Sequence, residues 1–217
     1  MLTIAIASGK GGTGKSTIAA ALAVRAMKHG RVALIDLNPD QPSLTHWWTL
    51  RGEPKNPCLF DDYEDLVADL PKLGAQGWRT CLIDTPPGGS AVIEMAVAAA
   101  DIVLIPVKPS IFDAAAASDV VEMAKARQKL WAFVLSDIDT RFRSLNAPIA
   151  DSLAGEGLVL APRVSHLQSY AAAPNLGKTG PEIDARAAAE FDALWADIRK
   201  FAPKAVSRAA TVHGCTR

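Results

Sequence analysis

The chain has 217 residues, 49% of them apolar, and its 23 basic and 23 acidic side chains give a formal net charge of zero. That length and apolar content suit one α/β domain with a full core, while zero net charge excludes a global field holding the chain on nucleic acid, so any such contact must come from a local patch. The longest apolar stretch is interrupted by Glu94 and Asp101, against a membrane span, and Cys58, Cys81 and Cys215 lack metal-site spacing, which points to a reducing compartment rather than a disulfide framework.

In chain order, Leu2–Ala7 is an apolar run that reads as a buried strand, entered directly from the N-terminus with no signal-peptide pattern. Gly9 to Ser16 fits the phosphate-loop pattern G-x-x-x-x-G-K-[ST]. Thr17–His29 carries Ile18, Leu22 and Ala26 at helical spacing, so the motif has the strand–loop–helix context it requires. Glycines let backbone N–H groups converge on phosphate oxygens, and the helix N-terminus adds positive potential. Gly11, Gly12, Thr13 and Gly14 form the cradle, with Gly12 and Gly14 as the closest backbone approaches. Lys15 would face the β/γ-phosphates, Ser16 would offer its hydroxyl to Mg²⁺, and Thr17 would contact the α-phosphate.

Further strands are predicted at Val32–Asp36, Thr80–Asp84, Ile102–Val107, Ala132–Ser136 and Leu158–Ala161. Helices are predicted at Asp61–Leu73, Ser90–Ala99, Ala114–Lys129, Ser144–Ala154 and Glu182–Phe201. The alternation predicts a single-domain P-loop NTPase of the α/β class: a mostly parallel twisted sheet with helices on both faces. Asp36 and Asp84 end central strands, where the ligand crevice of such a sheet opens; either could also be a plain helix cap. The last helix places Ala187, Phe191, Leu194, Trp195 and Ile198 on one stripe, as for docking on the sheet. Its other face mixes Glu190, Asp192 and Asp197 with Arg186 and Arg199, which argues against an interfacial membrane helix. The domain is taken as 1–203, and the small, polar segment 204–217 is expected to fray.

The string Lys10-Gly11-Gly12-Thr13-Gly14-Lys15-Ser16 resembles the deviant Walker A box of the ParA/MinD superfamily of ATPases. Asp36 to Trp48 resembles the D-x-D-P-Q-x-S-x-x-x-W segment of small plasmid-partition ATPases, and Asp101 to Asp113 their strand and following P-S-x-x-D turn. The resemblance covers about residues 2–200 and favours the ParA branch over MinD. It implies an ATP-sandwich homodimer in which Lys10 reaches the partner's nucleotide. It also implies that Asp84 is the Walker B aspartate holding Mg²⁺ through water, with Asp36 as the first aspartate of Walker A′ and Pro86, Pro87 and Gly88 as switch II. Pro162 and Arg163 fall where relatives place the adenine loop. The cofactors so implied are ATP/ADP and Mg²⁺. Nitrogenase iron-protein relatives are disfavoured, because their cluster-binding cysteine context is missing.

Two departures stand out. Asn38 occupies the place of the second aspartate, which would polarise the attacking water; an amide hydrogen-bonds a water but cannot accept its proton. Asn38 is then a natural slow variant, or is compensated by Asp40, or was substituted to hold an ATP-bound state. Ser136-Asp137 stands where relatives often have an asparagine near the adenine.

Arg199, Lys200 and Lys204, with Arg208, form a basic end that reads either as solvated charge or as a non-specific, salt-sensitive DNA patch. Arg141 and Arg143 are rivals; Lys125, Arg127 and Lys129 are weaker ones. The four histidines read as packing or surface residues. The expected function is a cytoplasmic, nucleoid-associated ParA-type ATPase. Its ATP-bound dimer would bind DNA without sequence preference, and a ParB-like or cargo-adaptor partner would stimulate hydrolysis. Alternatives are a nucleotide-binding switch that barely turns over, motivated by Asn38, and a MinD-like membrane ATPase.

Overall fold

The computed structural model describes residues 1–61, 65–88 and 91–212, with the side chains of 142–146 and 203–212 left outside. Its strands are β1 (Leu2–Ser8), β2 (Arg31–Asp36), β3 (Cys58–Leu59), β4 (Trp78–Pro87), β5 (Ile102–Val107), β6 (Leu130–Leu135) and β7 (Leu158–Val159). The helices are α1 (Lys15–Ala26), α2 (Ser43–Leu50), α3 (Leu66–Ala75), α4 (Ala91–Ala99), α5 (Ile111–Ala126), α6 (Arg143–Glu156), α7 (Gln168–Ala172), α8 (Gly180–Ile183) and α9 (Ala185–Val212).

The strands form one sheet in the order β3-β2-β4-β1-β5-β6-β7, every pairing parallel. Both faces are covered, which is why the strands read as near-continuous apolar runs rather than alternating ones. The alternation persists underneath. Ile4, Ile6, Leu34 and Leu82 point to the face closed by α1, α2 and α9, while Ala5, Ile35, Ile83 and Val103 point to the face closed by α3, α4 and α5. The predicted stripe on α9 is buried as expected, with Phe191, Leu194 and Ile198 fully shielded.

This order positions the site. The chain leaves β1 across β4 to reach β2, and leaves β4 across β1 to reach β5. The loops after β1 and β4 therefore part in opposite directions, opening a crevice at the carboxyl ends of these strands.

Some predicted boundaries shift for local reasons. Helix α5 starts at Ile111 because the Ser110 hydroxyl accepts from Phe112 N at 3.2 Å, and it ends at Ala126 with Gln128 in the left-handed region (φ 54). The helix expected over Glu182–Phe201 is divided at Asp184, whose backbone is extended. Its carboxylate caps α9 by accepting from Arg186 N at 2.8 Å and Ala187 N at 3.2 Å. Just before, Thr179 and Glu182 form a capping box that starts α8. The two-residue β3 and the helices α2 and α7 had no predicted counterpart: each is too short for a periodic signal.

Candidate functional site

The phosphate loop joins β1 to α1, and two glycines make its path possible. Gly14, the N-cap of α1, sits at φ 89, and Gly12 at φ 73, both with open space where a Cβ would stand. Gly9 is needed for a different reason: a Cβ there would lie 2.2 Å from the Ala116 carbonyl oxygen, so the loop rests directly on α5. The helix begins at Lys15, two residues earlier than predicted, because Gly14 supplies the left-handed turn. Its first N–H groups point back into the loop, with the positive end of the helix dipole behind them. The Thr13 hydroxyl is buried with no hydrogen-bond partner among the described residues.

Lys15 is largely buried and donates to the Lys10 carbonyl at 3.3 Å. Burial lowers its pKa, and the Asp84 carboxylate opposes that. The register of β2 on β4 places Asp36 beside Asp84. Asp84 is 1% exposed, and burial raises its pKa to about 7. The neighbouring Asp36 charge pushes the same way, against a hydrogen bond from Ser16 and the charge of Lys15. One Asp84 oxygen, Oδ1, is buried with no hydrogen-bond partner among the described residues. An unpartnered carboxylate oxygen beside a hydroxyl and a second carboxylate is a donor set that fits a divalent cation. Among the described residues no cluster of three His, Cys, Asp or Glu side chains could hold a metal by itself, so the nucleotide phosphates would have to complete the coordination.

Asp36 is occupied in this structure. Its carboxylate accepts from Asn38 N at 3.1 Å, Thr45 N at 2.9 Å and Thr45 Oγ1 at 3.1 Å, which closes the loop into α2. Asn38 accepts from Gln41 N at 3.3 Å through Oδ1, within the same loop. Thr45 was missed from sequence; its contact to Asp36 depends on how α2 folds back. Pro87, at the end of β4, flanks the loop near Gly11, and Gly88 turns away at φ 97.

Lys10 does not point outward. Its ammonium lies 2.9 Å from Asp113 Oδ2 in the first turn of α5, with the carboxylate 5% exposed and the lysine side chain 48%. The S-x-x-D turn thus supplies both the cap of α5 and the partner of Lys10. Beyond the loop, a cleft of about 290 Å³ extends from Gly12, Gly14 and Thr17 to Ser136, Asp137 and the segment Val164–Leu167. At its edge Asp137, held at φ 57, accepts from His166 and bonds Lys108 at 2.9 Å, and these two partners hold its pKa below the usual carboxylate range. Neither partner was singled out from sequence, since both come from other loops.

Pro162 and Arg163 lie one step outside this cleft. Arg163 is exposed and lines a separate depression with Thr140, Arg186 and Glu190. Of the basic end, Arg199 lies against the His29 ring at 3.3 Å and Lys200 pairs with Asp197 at 3.0 Å, while the Lys204 and Arg208 side chains fall outside the described residues. Arg141 pairs with Asp139 at 2.6 Å; the Arg143 side chain also falls outside. Among the described residues no helix is long and apolar enough to cross a membrane.

A family model described as the CobQ/CobB/MinD/ParA nucleotide binding domain matches residues 4–179. The chain is 34% identical over 131 residues to the maintenance of carboxysome distribution protein A of Halothiobacillus neapolitanus, a match covering 58% of this chain and 60% of that one. To the protein ParA of Rhizobium radiobacter it is 33% identical over 116 residues, 52% of each chain. The matched stretches thus span between half and two thirds of these relatives. Its fold is that of the septum site-determining protein MinD of Pyrococcus horikoshii OT3, solved with Mg-ADP: the TM-score is 0.71 at 20% identity, covering 94% of this chain and 98% of that one. With the family model spanning most of its length, the chain belongs to the CobQ/CobB/MinD/ParA nucleotide-binding family.

Proposed function

We propose that the protein is a ParA-type ATPase that positions cargo, hydrolysing ATP slowly while cycling between a free form and an ATP-bound homodimer. The observation that carries this is the crevice itself: a phosphate loop with Lys15 at its helix start, facing a buried Asp84 with one oxygen unpaired. Gly11, Gly12, Thr13 and Gly14 would cradle the phosphates through their N–H groups, Lys15 would neutralise the β/γ oxygens, and Thr17 would reach the α-phosphate. Ser16, with Asp84 and Asp36, fits Mg²⁺, whose chemistry when bound is to neutralise charge developing on the phosphate oxygens. The cleft at Ser136 and Asp137 would take the nucleoside, with Pro162 and Arg163 bordering it.

Lys10 would act in trans on the partner's nucleotide, which requires its ammonium to leave Asp113. The name of a relative that maintains carboxysome distribution supports a positioning role. The dimer would hold nucleoid DNA without sequence preference in the cytoplasm, through a basic surface that includes Arg199, Lys200 and Lys204. A ParB-like or cargo-adaptor protein would trigger release. The nucleotide domain would end near residue 203, the rest serving as a tail. Asn38 favours a second reading, a switch that binds nucleotide and barely hydrolyses it, because an amide cannot accept a proton from an attacking water.

ATP turnover with and without DNA and the cognate partner separates the two. Stimulated turnover supports the ATPase; tight ATP binding with no turnover under any condition supports the switch. A neighbouring gene for a small DNA-binding protein would point to DNA cargo, and a microcompartment operon to protein cargo.

A further inference from the structure

The cleft beyond the phosphate loop is lined at one end by Gly12, Gly14 and Thr17, and at the other by Lys108, Ser136 and Asp137 with the segment Val164–Leu167. Phosphates seated in the loop would direct the nucleoside along this cleft, so the far end would meet the base. Ser136 is 2% exposed, and its hydroxyl has no hydrogen-bond partner among the described residues. A buried hydroxyl that lines a cleft is satisfied by what enters it. The N–H groups of the neighbouring segment are already spent. Val164 N donates to the Leu135 carbonyl at 2.9 Å, Ser165 N to Glu190 Oε2 at 3.1 Å and His166 N to the Ile138 carbonyl at 2.9 Å. The base is thus left to side chains: a hydroxyl that turns to donate or to accept, a carboxylate that only accepts and an ammonium that only donates.

Asp137 is the fixed member of this set. Its left-handed backbone, at φ 57, sets the direction of the side chain. Oδ1 meets His166 Nδ1, and Oδ2 meets Lys108 Nζ at 2.9 Å. These two partners hold its pKa below the usual carboxylate range, so the group is ionised at neutral pH, and each oxygen keeps a second lone pair.

We infer that this cleft does not select adenine and takes guanine nucleotides at least as well. The inference deepens the nucleotide-binding reading given above and rests on it. Adenine offers one exocyclic donor, at N6, flanked by acceptors at N1 and N7. A side chain that reads it in two places must carry a donor beside an acceptor, as an amide does. An ionised carboxylate accepts from N6 and then sets its second oxygen against a ring lone pair. Guanine instead presents N1–H and N2–H₂ side by side, two donors for two carboxylate oxygens. Its O6 and N7 accept from Ser136 or Lys108. The rotatable Ser136 hydroxyl serves either purine, so it gives affinity without choice. The choice lies with Asp137.

The test is isothermal titration of the full chain with ATP, GTP and inorganic tripolyphosphate, each with Mg²⁺. The parent should bind GTP within about tenfold of ATP, or more tightly. Asp137→Asn should lose about tenfold or more in GTP affinity, the worth of one bidentate pair, while ATP holds or gains, because the amide both donates and accepts. Asn tolerates the left-handed region as Asp does, so the backbone should keep its path. Tripolyphosphate has no base and should bind parent and variant alike, which a merely unfolded or loosened variant would not do. Ser136→Ala should weaken ATP and GTP by the same factor. A parent that binds GTP more than about tenfold more weakly than ATP overturns the inference and leaves the nucleotide reading standing. An unchanged GTP-to-ATP ratio in Asp137→Asn overturns the role of Asp137. A parent that binds none of the three sinks the nucleotide reading itself.

Discussion

At the carboxyl rim of the sheet, β2 ends in Asp36 beside Asp84 of β4, and β1 leads into a glycine loop that precedes Lys15; at the amino rim, β2 and β4 begin with Arg31 and Trp78-Arg79. One rim buries its charges and leaves polar atoms unpaired, as on Asp84 and Thr13. The other exposes its charges and fixes them by stacking. Six strand residues separate the rims in β2, roughly 20 Å at 3.3 Å per residue. That exceeds a Debye length at physiological salt, about 8 Å, so direct charge–charge influence between the rims is weak. Any coupling between nucleotide and the proposed DNA surface at Arg199 must therefore travel through α1, which starts at the phosphate loop and ends beside Lys28, or through dimerisation.

The strongest test of this separation is Lys15→Ala. The side chain would make charge-assisted bonds to two phosphates, so its loss should weaken ATP binding by about 3–5 kcal/mol, two to three decades or more. Isothermal titration reads this directly, and near-parental affinity would remove Lys15 from the site. DNA affinity measured without nucleotide should not move. If it falls as well, the two rims are not independent.

Much of the carboxyl rim was legible in sequence because its signals are local. The loop, its lysine and the two strand-end aspartates follow from spacing within a few residues, and the fold class followed from alternating patterns. What was not legible lies in contacts across the chain. The partner of Lys10 is 103 residues away, and the neighbours of Asp137 come from loops 29 residues on either side. Nothing in composition or periodicity reports such pairs. The amino rim was half legible: Arg199 and Lys200 stood out as a run on α9, while Lys28, Arg31 and Arg79 were not singled out and only the strand register brings Arg31 to the start of β4. Asp184 was invisible as a break because it sits inside a pattern helical on both sides.

Next in size is the titration of Asp84. Its folded pKa is about 7 against an ordinary 3.8. Between those values the unfolded chain releases the proton and the folded chain keeps it, so stability falls as pH rises and then levels off above about 7. The loss is at most on the order of 4 kcal/mol. Asp84→Asn has no such group, so its stability relative to the parent should increase from pH 4 to pH 7 in denaturant melts. Parallel curves would mean that the carboxyl is not held protonated. The same shift predicts that Mg²⁺–ATP binding releases a proton below about pH 7, measurable by calorimetry in buffers of different ionisation enthalpy.

Lys10→Ala should abolish ATP-dependent dimerisation in light scattering while leaving ATP bound. It also strips the buried Asp113 of its cation, costing about 1 kcal/mol, a value held low by the half-exposed lysine. The double variant Lys10→Ala/Asp113→Asn should recover that stability without recovering the dimer. A dimer that persists in both would refute action in trans. A dimer regained by the double variant would show that the lysine matters only for balancing Asp113.

The smallest effect is expected at Asn38. The structure shows why Asn38→Asp should fold normally: Oδ1 accepts from Gln41 N, and a carboxylate accepts equally well. A carboxylate at this position could also take a proton from an attacking water, which an amide cannot. The gain is limited by its surroundings, because Asp36 lies next to it through the Asn38 N–H, and Asp84 lies one strand away. A third carboxylate there is repelled unless Mg²⁺ is bound, so the increase in turnover should be about tenfold, near 1.4 kcal/mol, rather than the several decades a free general base can supply. Single-turnover hydrolysis at saturating Mg²⁺–ATP measures it, and the advantage should shrink as Mg²⁺ is lowered. If turnover is unchanged at every Mg²⁺ concentration, or if Asp40→Ala alone abolishes hydrolysis, the water is oriented from elsewhere in the loop, and the carboxyl rim divides its binding and catalytic work between different residues.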